Sequence, residues 1–127
     1  MDLANLGTKQ DSVEMELLHP QTNEVLKDKD GKSFTISLLS SDTNKYKSEF
    51  NSVVKAARQT KHELTAREQE SNACKLLASV TTGCYLVFNS KPFAFSADAM
   101  ADLYLNPQYT WLREQVESFI RDRSNFI

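Results

Sequence analysis

The chain has 127 residues, the length of one domain, with 15 Lys and Arg against 17 Asp and Glu for a net charge of −2. That even balance, with no basic stripe, argues against an electrostatic nucleic-acid binder, and no apolar run approaches the roughly 20 residues that span a bilayer. Residues 1–7 lack the basic-then-apolar pattern of a secretory signal, so the two cysteines, Cys74 and Cys84, are expected to stay reduced in a cytosolic protein.

Residues 1–11 are polar and aperiodic, and we expect them to be mobile. Val13, Met15 and Leu17 then alternate with Glu14 and Glu16, a period of two that predicts a half-buried strand. His19 to Glu24 supplies a turn through Pro20 and Asn23, and Val25-Leu26 reads as a short second strand. Asp30-Gly31 signals another turn, after which Phe34, Ile36 and Leu38 alternate with Thr35 and Ser37 as a third strand. These strands predict a small antiparallel meander, which is marginal alone and needs helices on its apolar face.

Ser41 or Asp42 is placed to cap a helix with Tyr46, Phe50, Val53, Val54 and Ala57 on one side. Thr65 and Glu68 have the spacing of a capping box, in which a hydroxyl and a carboxylate each satisfy a free backbone N–H. The helix they open carries Ala73, Leu76, Leu77 and Val80 and is expected to stop at Gly83. Tyr85 to Phe88 is a run of strand formers, with Asn89 to Pro92 as its turn and Phe93 to Phe95 as a partner. Ser96 caps a short helix bearing Met100, Leu103 and Tyr104. From Pro107 to Ile127 the pattern predicts one amphipathic helix, capped by Asn106, with Tyr109, Leu112, Val116, Phe119 and Ile120 along one face and a docked Phe126. The sum is one α+β domain over 1–127, weighted towards helix: three main helices, one short helix and a small N-terminal sheet.

Chemical signatures are scarce. Gly7, Gly31 and Gly83 lie too far apart for a phosphate cradle. His19 and His62 fall in predicted turns, away from any nucleophile, and with Cys74 and Cys84 they match no familiar zinc spacing. Glu14/Glu16 and Glu68/Glu70 read as solvent faces. No catalytic, cofactor or metal residue is assigned, and an enzyme is not expected. Trp111, the sole tryptophan, projects about 100° from Leu112 and so falls outside the main apolar stripe, beside Gln115, Ser118 and Asp122 on the helical wheel. An exposed tryptophan would anchor a partner; a covered one would be core. Phe88, Phe93 and Phe95 form a second aromatic group, read as packed.

Two stretches together resemble one family. The first runs from Leu18 through the His19-Pro20 turn, Asp30-Gly31 and Phe34 to Ile36, ending at Ser41 to Tyr46. The second is Phe95 to Ile127, with Leu103-Tyr104, Pro107, Trp111 to Val116, Phe119-Ile120, Asp122-Arg123 and Asn125-Phe126. They resemble the tail assembly chaperones of lambda-like long-tailed bacteriophages (siphophages) and their prophages. Asn23 stands where many relatives carry glycine, a swap that left-handed backbone tolerates in asparagine. The resemblance implies a protein that keeps the tape measure protein soluble and recruits major tail tube protein in the host bacterial cytoplasm, and that is absent from the mature virion. It also implies possible self-association; on charge and hydropathy alone, no membrane or nucleic-acid partner is expected. It transfers no binding residues. On the residues alone, Trp111, Tyr104, Phe119 and Phe126 are the candidates for protein contact. A structural tail-completion or head–tail joining protein, and a cytosolic adaptor unrelated to phage, remain open as alternatives.

Overall fold

Alternation at residues 13–17 produces an edge strand. In the computed structural model, which describes residues 2–127, β1 (Val13–Glu16) pairs antiparallel with β2 (Thr35–Leu38). β2 pairs antiparallel with β3 (Thr81–Tyr85), so the order is β1-β2-β3. Met15, Leu17, Ile36 and Leu38 turn into the core, while Glu14 and Glu16 stay exposed.

Val25-Leu26 does not form the expected second strand. It makes isolated bridges instead, Leu18 with Val25 and Lys27 with Ser33. The cause is a closed ring of three backbone hydrogen bonds. Leu17 N–H donates to Phe34 C=O at 2.9 Å, Phe34 N–H to Leu26 C=O at 2.8 Å, and Leu26 N–H to Leu17 C=O at 2.9 Å. Three segments meet at one point, and no regular ladder continues through it. Both flanking turns need left-handed backbone: Asn23 has φ 60° and Gly31 φ 85°. The Asp28 carboxylate holds the second turn by accepting from the Asp30 and Lys32 N–H groups.

Four helices join this sheet, and the fold is α+β. α1 (Asn44–Gln59) is capped by Thr43 rather than by Ser41 or Asp42; the Tyr46 N–H donates to the Thr43 hydroxyl at 3.2 Å. α2 (Ala66–Ser79) opens with both bonds of the Thr65–Glu68 capping box. It ends before Gly83. The free edge of β2 captures Thr81–Tyr85 as a strand, and Gly83 becomes the partner of Ser37. β4 (Val87–Phe88) turns back on β5 (Lys91–Pro92), one step earlier than Phe93–Phe95, and leaves Phe95 exposed. α3 (Ala97–Leu105) is capped by Ser96.

The expected single helix from Pro107 to Ile127 is three pieces. Asn106 caps a 3₁₀ turn at Pro107–Tyr109, α4 (Thr110–Arg121) follows, and Asp122 breaks it. The Asp122 carboxylate accepts from the Ser124 N–H and hydroxyl, which opens a second 3₁₀ turn over Arg123–Phe126. That turn rolls Phe126 inward, edge-on to Phe119 at 5.4 Å, where it is fully buried. Phe126 C=O accepts from Lys9 N–H at 2.6 Å, and the Thr8 hydroxyl donates to Asp42. These contacts tie a segment expected to be loose, whose Leu3–Leu6 forms a 3₁₀ turn.

The core joins Met15, Leu17, Ile36 and Leu38 of the sheet to Leu77, Met100, Leu103, Leu112, Val116 and Ile120 of α2, α3 and α4. α1 stands apart. It packs against α2 but buries no residue, and Phe50 is 47% exposed although its ring stacks on Tyr46.

Candidate functional site

α4 lies beside the free edge of β1, and the two enclose a groove of about 590 Å³. The helix contributes Trp111, Gln115, Ser118 and Asp122, the four positions that the helical wheel places together, along with Glu114 and Phe119. Met15, Glu16 and Leu18 line the strand side.

The backbone of that strand side is open. Leu17 N–H donates inward to Phe34, so in an alternating ladder residues 13, 15 and 17 address β2 and residues 14, 16 and 18 address the free edge. At Leu18 that edge is already paired, by a side chain. Gln115 Oε1 accepts from Leu18 N–H at 3.0 Å, and Gln115 Nε2 donates to Leu18 C=O at 2.8 Å. The amide of Gln115 thus supplies the donor and acceptor that a neighbouring strand would supply. Among the described residues, no strand lies beyond Glu14 and Glu16.

The groove carries one sign of charge. Glu16, Glu114 and Asp122 line it, and no Lys, Arg or His does. Hydrogen bonds from the Ser124 hydroxyl and N–H hold the Asp122 carboxyl below the ordinary carboxylate range, so it is ionised at neutral pH. The apolar element is Trp111. Its half-buried indole ends a chain of aromatic rings: Phe93 against Phe88 at 5.7 Å, Phe88 against Tyr109 at 5.4 Å, and Tyr109 against Trp111 at 6.4 Å. On its other side the indole lines a second cavity, of about 280 Å³, with Leu17, Leu26 and Phe88. Trp111 thus packs on Tyr109 and borders open space in both the groove and the second cavity.

The four candidate contact residues divide into two pairs. Trp111 and Phe119 line the groove. Tyr104 and Phe126 have 0% of their surface exposed and present nothing to a partner. Tyr104 lies on the apolar stripe of α3, and Phe126 is rolled into the core by the 3₁₀ turn after Asp122. Sequence reasoning missed the strand side of the site. Its one visible signal was the pair of glutamates in β1, since charged residues on an edge strand guard an unpaired backbone.

The remaining reactive side chains are engaged elsewhere. Burial pushes the Cys74 thiol up, against the opposing hydrogen bond from Arg113, and burial pushes the Cys84 thiol up as well. Neither is a thiolate at neutral pH. Arg113 Nη1 donates to Glu70, Cys74 and the Tyr104 carbonyl, fastening α4 to α2 and α3. His19 Nδ1 accepts from the N–H groups of Gln21 and Thr22, and His62 sits 3.3 Å from Glu68. Among the described residues, no group of three or more His, Cys, Asp and Glu side chains is placed to hold a metal ion.

No family model matches the chain, and neither the curated proteins nor the solved structures contain a significant match to it.

Proposed function

We propose that the protein is a tail assembly chaperone of a siphophage or prophage, acting by non-covalent contact with another polypeptide. The carrying observation is the groove between β1 and α4, with the half-buried Trp111 at its wall and unpaired backbone at its rim. A site that holds a client segment needs an apolar anchor fixed in advance, polar groups for orientation and a way in from solvent. The resemblance of Leu18–Tyr46 and Phe95–Ile127 to the chaperone family supports the choice of client: the tape measure protein, with major tail tube protein recruited around it. On this reading the protein works in the host cytoplasm and leaves the complex as the tube closes.

Co-expression with a tape measure protein tests this. The wild-type chain should keep the tape measure in the soluble fraction and co-purify with it. Trp111→Ala, which removes a half-buried side chain, should keep its fold but lose most of the co-purifying client. Equal recovery with both chains would remove Trp111 and its groove from the client site. Detecting the protein in stoichiometric amount in purified virions would instead identify a structural tail component.

A further inference from the structure

We propose that the groove takes its occupant as an added β-strand: an extended, lysine- or arginine-bearing peptide segment that pairs with β1 and lies between it and α4. The proposal rests on the groove being the client site and specifies what enters it.

Three observations converge. First, the edge of β1 at Glu14 and Glu16 has backbone donors and acceptors with no neighbouring strand. Such an edge binds extended chain through main-chain hydrogen bonds, with side-chain pockets giving selectivity. Second, Gln115 already forms one rung of such a ladder at Leu18, with an acceptor and a donor at 3.0 and 2.8 Å. That rung fixes the register and occupies the edge at Leu18, so the incoming segment pairs with β1 from Glu16 towards Val13 and enters the part of the groove lined by Met15, Glu16, Ser118, Phe119 and Asp122. Third, the charge is one-sided. Glu16 and Glu114 form no ion pair with any described residue, and Asp122 engages only Ser124. Acidic walls without internal cations favour a basic occupant and repel an acidic one. Successive side chains of an added strand point to opposite faces, so alternate residues meet α4 and solvent. The pattern that fits is an apolar residue against Phe119, alternating with cations that reach Glu16, within the acidic field to which Glu114 and Asp122 add.

Glu14 and Glu16 also admit a protective role, since charge on an edge strand deters pairing. The two roles differ in what they select. A guarded edge rejects every strand; a selective edge admits the oppositely charged one.

Trp111, as the only tryptophan, reports on the groove by its own fluorescence. The probe is a capped synthetic peptide of about seven alternating lysines and valines, enough to span the strand. Titration into the full chain should shift the Trp111 emission to saturation. The same peptide N-methylated on alternate residues, which removes the hydrogen bonds of one edge, should bind about tenfold or more weakly. A glutamate–valine peptide should not bind. Glu16→Lys and Glu114→Lys, both at solvent-accessible positions, should each weaken the lysine peptide several-fold at low salt, and added salt should narrow the gap. Equal binding of the N-methylated peptide overturns strand addition, and equal binding of the glutamate peptide overturns the charge selection. If the lysine peptide fails to bind while Trp111→Ala still releases the tape measure protein, strand addition falls and the chaperone reading stands. If the peptide binds and Trp111→Ala leaves tape measure recovery intact, the chaperone site falls and strand addition stands.

Discussion

The Tyr104 hydroxyl lies 2.7 Å from Thr81 Oγ1 in the closed centre of the protein, and the pair has a direction. Thr81 spends its single hydroxyl hydrogen on the Leu77 carbonyl, at 2.8 Å. It therefore accepts from Tyr104, which donates. Burial pushes the Tyr104 phenol far up, so it is a neutral donor at neutral pH. One bond thus ties α3 to the junction of α2 and β3.

That direction makes the two deletions unequal. Tyr104→Phe leaves Thr81 bonded to Leu77 and should cost about 0.5–1.5 kcal/mol. Thr81→Val strands a buried phenol with no acceptor and should cost about 1–3 kcal/mol. The double variant should be less destabilised than the sum of the two, because the residues are in contact. Urea unfolding midpoints of the four proteins check the order. Tyr104→Phe should also leave tape measure recovery unchanged, since the ring never reaches the surface.

Gln115 predicts a local effect. Gln115→Leu removes both bonds to Leu18 and exposes that rung of β1. Hydrogen exchange at the Leu18 amide should then accelerate strongly, while exchange at Ile36, in the middle strand, should change only with global stability. Unchanged protection at Leu18 would mean that the side-chain rung contributes nothing in solution.

Phe126 gives the largest core effect. Its ring is fully enclosed and sits on Phe119, so Phe126→Ala should cost about 3–5 kcal/mol. The 3₁₀ turn that presents it also holds Lys9, so residues 2–9 should become protease-sensitive in the same variant. Limited proteolysis beside a denaturation curve reads both.

Asp28 predicts a response to acid. The Tyr85 hydroxyl donates to it at 2.6 Å, and the Lys32 and Asp30 N–H groups assist; together they hold its carboxyl below the ordinary 3.8. A carboxyl depressed in the folded state stabilises fully above its ordinary value, and that stability is lost as pH falls through the depressed one. Tyr85→Phe removes the largest cause. Its Asp28 should titrate closer to 3.8, and its stability should fall less steeply below about pH 4 than that of the wild type. Carbon-detected NMR titration of the carboxylates measures the shift directly.

The sequence disclosed what local chemistry decides. The Thr65 box, the Ser96 and Asn106 caps, and the left-handed Asn23 and Gly31 each depend on neighbours within a few residues. Trp111, Gln115, Ser118 and Asp122 shared a helical face on the wheel and share a groove in the structure. What stayed hidden depends on distant partners. Gly83 looks like a helix stop until β2 offers an edge to the residues around it. Val25-Leu26 looks like a strand until Leu17 and Phe34 close a ring with it. Tyr104 and Phe126 looked eligible for contact until packing enclosed them. Two local features misled: the α1 cap is Thr43 and not Ser41 or Asp42, and Asp122, read as one more polar position, is a stop because its carboxylate prefers the Ser124 backbone.

The order β1-β2-β3 bears on how the chain matures during translation. Its third strand is encoded beyond both α1 and α2, and three of the main core side chains come later still, from α4. The first half of the chain alone contains none of the α2, α3 and α4 side chains that cover Met15, Leu17, Ile36 and Leu38. Pairings between remote segments are slow to form, and partly made chains are prone to stick to one another in the meantime. The cover over Met15, Leu17, Ile36 and Leu38 is therefore complete only once α4, the last of the four helices, has been synthesised.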